Sequence, residues 1–355
     1  MQPTNKIAVD LDVEGPLVRN DNAFELTVAL ARLCGLGAAV GRKFFEAISN
    51  IDDLWGDFAL VADIDRTYSA GHTLKVILPF LRAMVAVAGV GDSWLYGFSR
   101  RSLRVVPHTG EVLRFLNGAY KTGLISTSYD FFVRAFCDAV GFPFDRATCT
   151  VVGDFERVSV PIGHQKHLLA LMKEVASMPL VEFDKEGCVY EDSRQYAERL
   201  KEIVWREVYG TQVGHHFLTA VHPVGQAQKR DALERHLRNC DIPRERAVYV
   251  GDSQTDVKCV ELLADQGLSV MVNGKGRVCD RSQLMYIGRD ARAMRLAVST
   301  FAQRGRQGTI AAFTPGQIVN GGLMAAVTPE NLPFLKAVSE GYRISFRGVA
   351  IGGLS

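Results

Sequence analysis

Short apolar runs alternate along this chain with longer segments of helical periodicity. The apolar runs are residues 7–9, 123–125, 149–152, 247–250 and 270–272. The helical patterns between them are residues 110–120, 130–140 and 228–240. Continuous apolar runs, without an alternation of apolar and polar residues, are typical of parallel strands covered on both faces. The pattern therefore predicts a Rossmann-like, doubly wound parallel α/β sheet.

Two long segments interrupt this alternation. Residues 22–103 show helical periodicity throughout, and most of residues 165–208 are helical again. The predicted organisation is a core of residues 1–13, 105–154 and 221–303, a helical cap at 14–104, a mainly helical second insertion at 155–220 and a C-terminal extension at 304–355. The extension is rich in glycine and weakly periodic, so its role is left open.

Composition narrows the class of protein. Hydrophobic residues make up 47% and charged residues 23% of the 355 residues, which is typical of a globular protein. The net charge of +2 and the interspersion of Lys and Arg with Asp and Glu argue against a nucleic-acid partner. The longest apolar window, residues 76–90, contains Pro79 and Arg82 and is shorter than the roughly 20 residues of a membrane span.

The cysteines and the N-terminus predict a location. Seven cysteines lie far apart without a C-x-x-C pair, which favours free thiols in a reducing compartment. The first residues contain two aspartates where a signal peptide would be apolar. We therefore expect a cytoplasmic protein without a membrane segment, and the oligomeric state is left open.

Four polar motifs stand at the ends of predicted strands or at the start of a helix. In chain order they are Asp10 with Asp12, then Ser126, then Lys229, then Asp252 with Asp256. Each alone has an ordinary structural explanation; acids at a helix N-terminus, for example, are favoured by about 0.3–1 kcal/mol. Parallel α/β sheets bind ligands at the carboxyl ends of their strands, so the four together predict one site.

In this order and placement the motifs resemble those of the haloacid dehalogenase (HAD) superfamily, in its phosphoserine-phosphatase-like branch, where the last motif reads G-D-S-x-x-D. The resemblance covers about residues 6–12, 105–154 and 222–300. It implies a Mg²⁺-dependent phosphatase that acts on a small phosphorylated metabolite through an aspartyl phosphate, under a mobile cap. A phosphotransferase or phosphomutase, and a non-catalytic scaffold that binds a protein partner, remain open alternatives.

The motif chemistry assigns a role to each acid. A carboxylate at a strand end can attack phosphorus, and Asp10 is the expected nucleophile. Side chains two residues apart on a strand share a face, so Asp12 is the expected general acid and base, a role worth about 10²–10⁴ in rate. The resemblance implies that Asp10 and Asp252 bind Mg²⁺ with the backbone carbonyl of Asp12, while Asp256 holds a metal-bound water or orients a ligand.

The remaining candidates would contact the substrate. Lys229 is expected to neutralise phosphate and nucleophile charge, and Ser126 to donate a hydrogen bond to a phosphoryl oxygen, with Thr127 as the alternative if the register differs by one. Glu14 is either a substrate contact or a rim residue. Arg100, Arg101 and Arg104 form a basic cluster at the end of the cap, for which a solvated helix end is the favoured interpretation.

Overall fold

A computed structural model describes residues 6–57, 70–153, 155–184, 188–348 and 351. Parts of the predicted cap (58–69), of the core (1–5) and of the extension (352–355) lie outside these residues. The strands are β1 (Ala8–Leu11), β2 (Lys121–Tyr129), β3 (Ala147–Thr150), β4 (Ala247–Gly251), β5 (Leu268–Val272), β6 (Leu284–Ile287), β7 (Gln317–Val319) and β8 (Gly322–Ala326). They form one sheet in the order β3-β2-β1-β4-β5-β6-β8-β7.

Helices cover both faces of this sheet. The helices are α1 (Asn22–Leu33), α2 (Ala38–Asp57), α3 (Thr73–Ala88), α4 (Asp92–Ser102), α5 (Thr109–Ala119), α6 (Asp130–Val140), α7 (Ile162–Ser177), α8 (Glu191–Glu202), α9 (Gln212–Ala220), α10 (Gln226–Cys240), α11 (Val257–Leu263), α12 (Val278–Arg281), α13 (Arg292–Ala312) and α14 (Leu332–Arg347), with a π-helical segment, Ile203–Val208, after α8. Apolar residues of α5, α6 and α13 pack on one face. Those of α10, α11 and α12 pack on the other.

The sheet residues explain this arrangement. Every residue of β1, β4, β5 and β6 is buried, as expected for strands that are covered on both sides. Strands β1 to β6 pair in parallel, with β1 between β2 and β4. The predicted doubly wound core with helical insertions is therefore confirmed.

The two insertions share one hydrophobic core. Helices α1 to α3 contribute residues such as Phe44 and Phe80 to the cluster, and α7 and α9 contribute residues such as Met172 and Phe217. Described residues of both insertions thus pack against one another in one hydrophobic cluster. Among the described helices, none is long and apolar enough to cross a membrane alone, although one bent pair, Thr73–Ala88 with Ser93–Ser102, meets the length and composition criteria together.

The C-terminal extension belongs to the core sheet. Strand β8 pairs antiparallel with β6, and β7 pairs with β8. Helix α13 crosses the predicted boundary at residue 304 and is interrupted at Gly305, whose φ is 66°. Weak periodicity failed to reveal these strands because both are short and β7 is mostly exposed. The last helix, α14, returns towards the carboxyl ends of the parallel strands.

Candidate active site

Asp12 and Asp252 stand side by side where two paired strands end. Strands β1 and β4 are parallel neighbours with Leu11 opposite Val250. The Asp12 amide donates a hydrogen bond to the Val250 carbonyl at 2.8 Å. Each aspartate is the first residue after its strand, so the two carboxylates share the carboxyl edge of the sheet. Both side chains are buried.

Lys229 joins the acids from helix α10. Its Nζ donates hydrogen bonds to Asp12 Oδ2 at 2.7 Å and to Asp256 Oδ1 at 2.8 Å. Burial alone would lower the pKa of Lys229, but the two neighbouring carboxylates raise it above the usual value, so the side chain stays charged. Burial raises the pKa of Asp12 to about 7, against the lowering effect of Lys229. The predicted Lys229 contact with the acidic site is therefore present.

Asp256 is held by four donors. Oδ1 accepts from Lys229 and from the Tyr249 hydroxyl at 2.6 Å, and Oδ2 accepts from the amides of Asp252 at 2.9 Å and Ser253 at 3.0 Å. A carboxylate has about four acceptor positions, so these donors fill them. Asp256 consequently orients Lys229 and the Asp252 loop, and its capacity for a direct metal bond is small.

Asp10 does not join this group, which corrects its assignment as nucleophile and metal ligand. Strand β1 continues through Asp10 to Leu11, so Asp10 lies inside the strand and not at its end. Its carboxylate contacts His236 Nδ1 at 2.8 Å and lines a separate cavity. The group of acids close enough to share a metal ion, searched over the described residues, is Asp12, Asp252 and Asp256.

The Asp10–His236 pair carries a prediction about stability. Hydrogen bonding to Asp10 raises the pKa of His236, and burial raises the pKa of Asp10. Because the pKa of His236 is higher in the folded protein than in the unfolded chain, the stabilisation from its contact with Asp10 is complete below the unfolded-state pKa of His236. It is lost as the pH rises through the folded-state pKa of His236. Urea unfolding of His236→Asn should therefore show a smaller decline in stability from pH 6 to pH 9 than the wild type. An unchanged decline, matching that of the exposed control His222→Asn, would contradict the coupling.

Thr127, and not Ser126, faces the site. Thr127 lines the cavity together with Asp12 and Asp252, and its Oγ1 is buried without a hydrogen-bond partner among the described residues. The Ser126 hydroxyl instead accepts a hydrogen bond from the Ser128 amide at 3.2 Å. The structure therefore favours Thr127, the alternative considered in the sequence analysis, because strand β2 extends to Tyr129 and continues beyond the apolar run that marks it in the sequence.

Glu14 is the residue that the sequence interpretation undervalued. It lines the same cavity, and its Oε1 accepts from the Asn22 amide at 2.7 Å. Burial of the Glu14 carboxyl group, and to a smaller extent the negative charge of the nearby Asp21, raise the pKa of Glu14 to about 8. The available signal was the second acid-x-acid spacing, Asp12-Val13-Glu14, which overlaps the first.

Gly15 allows the chain to turn sharply against Asp252. Its φ of 103° lies in the region that favours glycine, and a Cβ at this position would be 2.0 Å from Asp252 Oδ2. Gly15 therefore ends the Asp12-Val13-Glu14 segment with a turn that a residue with a side chain would not accommodate. The loop brings Glu14 over the two strand ends.

The cavity above these residues has a volume of about 140 Å³. Cap residues contribute to its wall, among them Phe45, Asp52 and Leu74. Arg343 and Arg347 of α14 also line it, although nothing in the local sequence marked them. The predicted cluster Arg100, Arg101 and Arg104 does not line this cavity, and Arg104 instead pairs with Glu25.

The acidic group is suited to a divalent cation. Its three carboxylates can bring ligand atoms within 4.8 Å of one another, and Mg²⁺ prefers such oxygen ligands. The Oδ1 atom of Asp252 has no hydrogen-bond partner among the described residues, whereas Oδ2 is bound by arginines. Asp12 and Asp252 are therefore the residues that fit as direct ligands.

Comparisons with known proteins identify a shared fold. No family model matches the chain, and no curated protein matches it. The gene product AF1437 from Archaeoglobus fulgidus is similar in structure, with a TM-score of 0.79 and 23% identity over 99% of each chain. A phospho-aspartyl intermediate analogue of phosphoserine phosphatase has a TM-score of 0.44 and 16% identity over 82% of this chain and 99% of that one. A probable phosphoserine phosphatase from Vibrio cholerae has a TM-score of 0.42 and 14% identity over 84% of this chain and 67% of that one.

The match with AF1437 extends over the core, both insertions and the C-terminal extension, so the complete architecture recurs in another protein. Within the core, the strand order β3-β2-β1-β4-β5-β6 places the loop after β1 beside the loop after β4. This is the arrangement that the four sequence motifs require. The chain therefore has the doubly wound, mainly parallel α/β fold that the sequence predicted.

Proposed function

We propose that this protein is a Mg²⁺-dependent phosphatase that hydrolyses a small phosphorylated metabolite through a phosphoryl group on Asp12. The observation that carries the proposal is the placement of Asp12 between Asp252 and Lys229 at the cavity. The cavity volume of about 140 Å³ favours a small substrate group. The unpaired state of all seven cysteines supports a cytoplasmic location.

In the first half-reaction, an oxygen of Asp12 attacks phosphorus and the bond to the leaving oxygen breaks. Glu14 donates its proton to that oxygen, so the product leaves as an alcohol. In the second half-reaction, Glu14 takes a proton from a water molecule whose oxygen attacks the same phosphorus, and the Asp12 carboxylate is released with phosphate. Asp12 and Glu14 thereby take the roles assigned from the sequence to Asp10 and Asp12.

The remaining residues act on charge and orientation. Lys229 is expected to offset the negative charge of Asp12 and of the phosphoryl oxygens, and the Thr127 hydroxyl to donate to one of those oxygens. Asp12 and Asp252 would hold Mg²⁺ through their side chains. Because the proposed nucleophile lies two residues beyond Asp10, the backbone carbonyl expected to bind the metal would be that of Glu14 and not that of Asp12. The metal supplies charge stabilisation of the transferred phosphoryl group.

Hydrolysis of an aryl phosphate tests the proposal. We expect phosphate release with Mg²⁺, loss of release in excess chelator and recovery when Mg²⁺ is restored, because the clustered carboxylates would otherwise repel a phosphate dianion. A colorimetric assay of the full chain measures this. Undiminished hydrolysis in chelator, or none with Mg²⁺ for any ester in a screen of phosphorylated metabolites, would contradict the proposal.

Thr127→Val should impair hydrolysis more than Ser126→Ala. Valine retains the shape of threonine but removes the hydroxyl, and loss of one preorganised donor to a reacting oxygen costs about 10²-fold in rate. Ser126→Ala removes a hydroxyl whose partner is the Ser128 amide, so we expect an effect below about tenfold. Steady-state kinetics on the two variants measure the difference, and the reverse order would restore Ser126 as the phosphate contact.

A further inference from the structure

Two arginines from the last helix reach the acidic site. Arg343 and Arg347 lie one turn apart on α14 and are only 4% and 7% exposed. Both Nη1 atoms donate hydrogen bonds to Asp252 Oδ2, the one from Arg347 at 3.3 Å. Two residues of the C-terminal helix thus contact Asp252, the carboxylate that fits as a metal ligand.

The two guanidinium groups share one oxygen and leave the other open. Asp252 Oδ1 has no hydrogen-bond partner within the described ranges, although the residue is only 1% exposed. The close approach of Gly15 limits the space on the Oδ2 side. The Asp252 carboxylate is therefore held in one orientation with a single oxygen available.

The arginines are anchored independently of Asp252. Arg347 Nε donates to the Arg19 carbonyl at 3.2 Å and its Nη2 donates to the Asn20 carbonyl. Arg343 Nη1 also donates to the Asn273 carbonyl at 3.3 Å. Since these acceptors are backbone atoms, the guanidinium positions do not depend on the carboxylate, and the arginines can orient it.

We propose that Arg343 and Arg347 are positioning residues that present Asp252 Oδ1 to a divalent cation, so that α14 completes the metal site. The inference rests on the proposed function only in taking Asp252 as a metal ligand. The guanidinium charges also repel a cation, but the two guanidinium hydrogen bonds hold Oδ2, and without them the Asp252 carboxylate would lose the fixed orientation in which Oδ1 is available. The net effect of the arginines is tighter cation binding.

Calorimetric titration of the full chain with Mn²⁺ and Mg²⁺, without substrate, tests this inference. We expect the dissociation constant to rise about 10- to 100-fold in Arg343→Gln and in Arg347→Gln, the usual effect of removing a partner of a metal ligand. Unchanged or tighter binding in both variants, or absence of binding by the wild type, would overturn the inference.

Ser339→Ala is the matched control. Its hydroxyl, also on α14, is buried and donates to the Gly274 carbonyl at 2.7 Å, but it does not contact Asp252. We expect cation affinity within about threefold of the wild type, because the Ser339 hydroxyl is bound to the Gly274 carbonyl and does not orient the Asp252 carboxylate. An equal loss of affinity in Ser339→Ala and the arginine variants would mean that α14 acts only through general stability, which would also overturn the inference.

Binding and hydrolysis separate the two proposals. If the arginines control cation affinity but no phosphate ester is hydrolysed, the positioning role stands and the phosphatase function fails. If hydrolysis depends on Mg²⁺ while cation affinity is indifferent to both arginines, the phosphatase function stands and the positioning role fails.

Discussion

Asp12→Asn will reduce hydrolysis of an aryl phosphate by about 10³-fold or more, whereas Asp10→Asn will retain most of it. The amide of asparagine is a poor nucleophile, and loss of the residue that forms the covalent bond removes the two-step route. Asp10 contacts His236 and lines a different cavity, so its amide leaves the reacting groups in place. Steady-state rates of the two variants, measured with saturating Mg²⁺, provide the comparison.

Each variant serves as the control for the other, because both change a buried aspartate on the same segment to its nearest uncharged analogue. Thermal unfolding must show that both are folded before rates are compared. Acid-quenched samples should contain phosphoenzyme in the wild type and in Asp10→Asn, but none in Asp12→Asn. The opposite distribution would return the nucleophile to Asp10.

Glu14→Gln will slow both half-reactions, with a loss of about 10²–10⁴-fold for an alkyl phosphate, because glutamine neither donates a proton to the leaving oxygen nor accepts one from water. With an aryl phosphate the leaving oxygen needs little protonation, so Asp12 should still be phosphorylated. The second half-reaction then limits the rate. The variant should consequently accumulate phosphoenzyme.

Rapid acid quench during the first turnover measures that accumulation. A burst of phenol product equal to the enzyme concentration, followed by slow turnover, is the expected result for Glu14→Gln. Asp52→Asn is a suitable control because Asp52 lines the same cavity but accepts hydrogen bonds from the Gly71 and Thr73 amides. Equal alkyl and aryl rates relative to wild type, with no accumulation, would assign Glu14 to the cavity rim.

The error over Asp10 shows what a strand pattern leaves undetermined. Asp10, Asp12 and Glu14 occupy alternate positions, and alternate side chains of an extended strand share a face. The apolar run suggests that β1 ends before Asp10, but the strand continues to Leu11. Two residues of strand advance the chain by about 6.6 Å, which is enough to move a carboxylate from one cavity to the other.

Other parts of the site depend on contacts that no local pattern reveals. Arg343 is 91 residues from Asp252 in sequence, and the segment that forms α14 shows only weak periodicity in the sequence. The shared core of the two insertions likewise depends on long-range packing. By contrast, Lys229, Asp252 and Asp256 were located from the sequence because each lies beside a recognisable strand end or helix start.

The sequence by itself determined the alternation of strands and helices, the two helical insertions and the acidic and basic residues that supply the candidate chemistry. Those features follow from periodicity and residue type, which are local properties of the chain. Tertiary structure alone decided that Asp12, and not Asp10, lies with Asp252 at the cavity, that Thr127 lines this cavity and that α14 brings its arginines to Asp252. Each of these depends on where paired strands end and which distant segments pack beside them, and those are distances set by the whole fold.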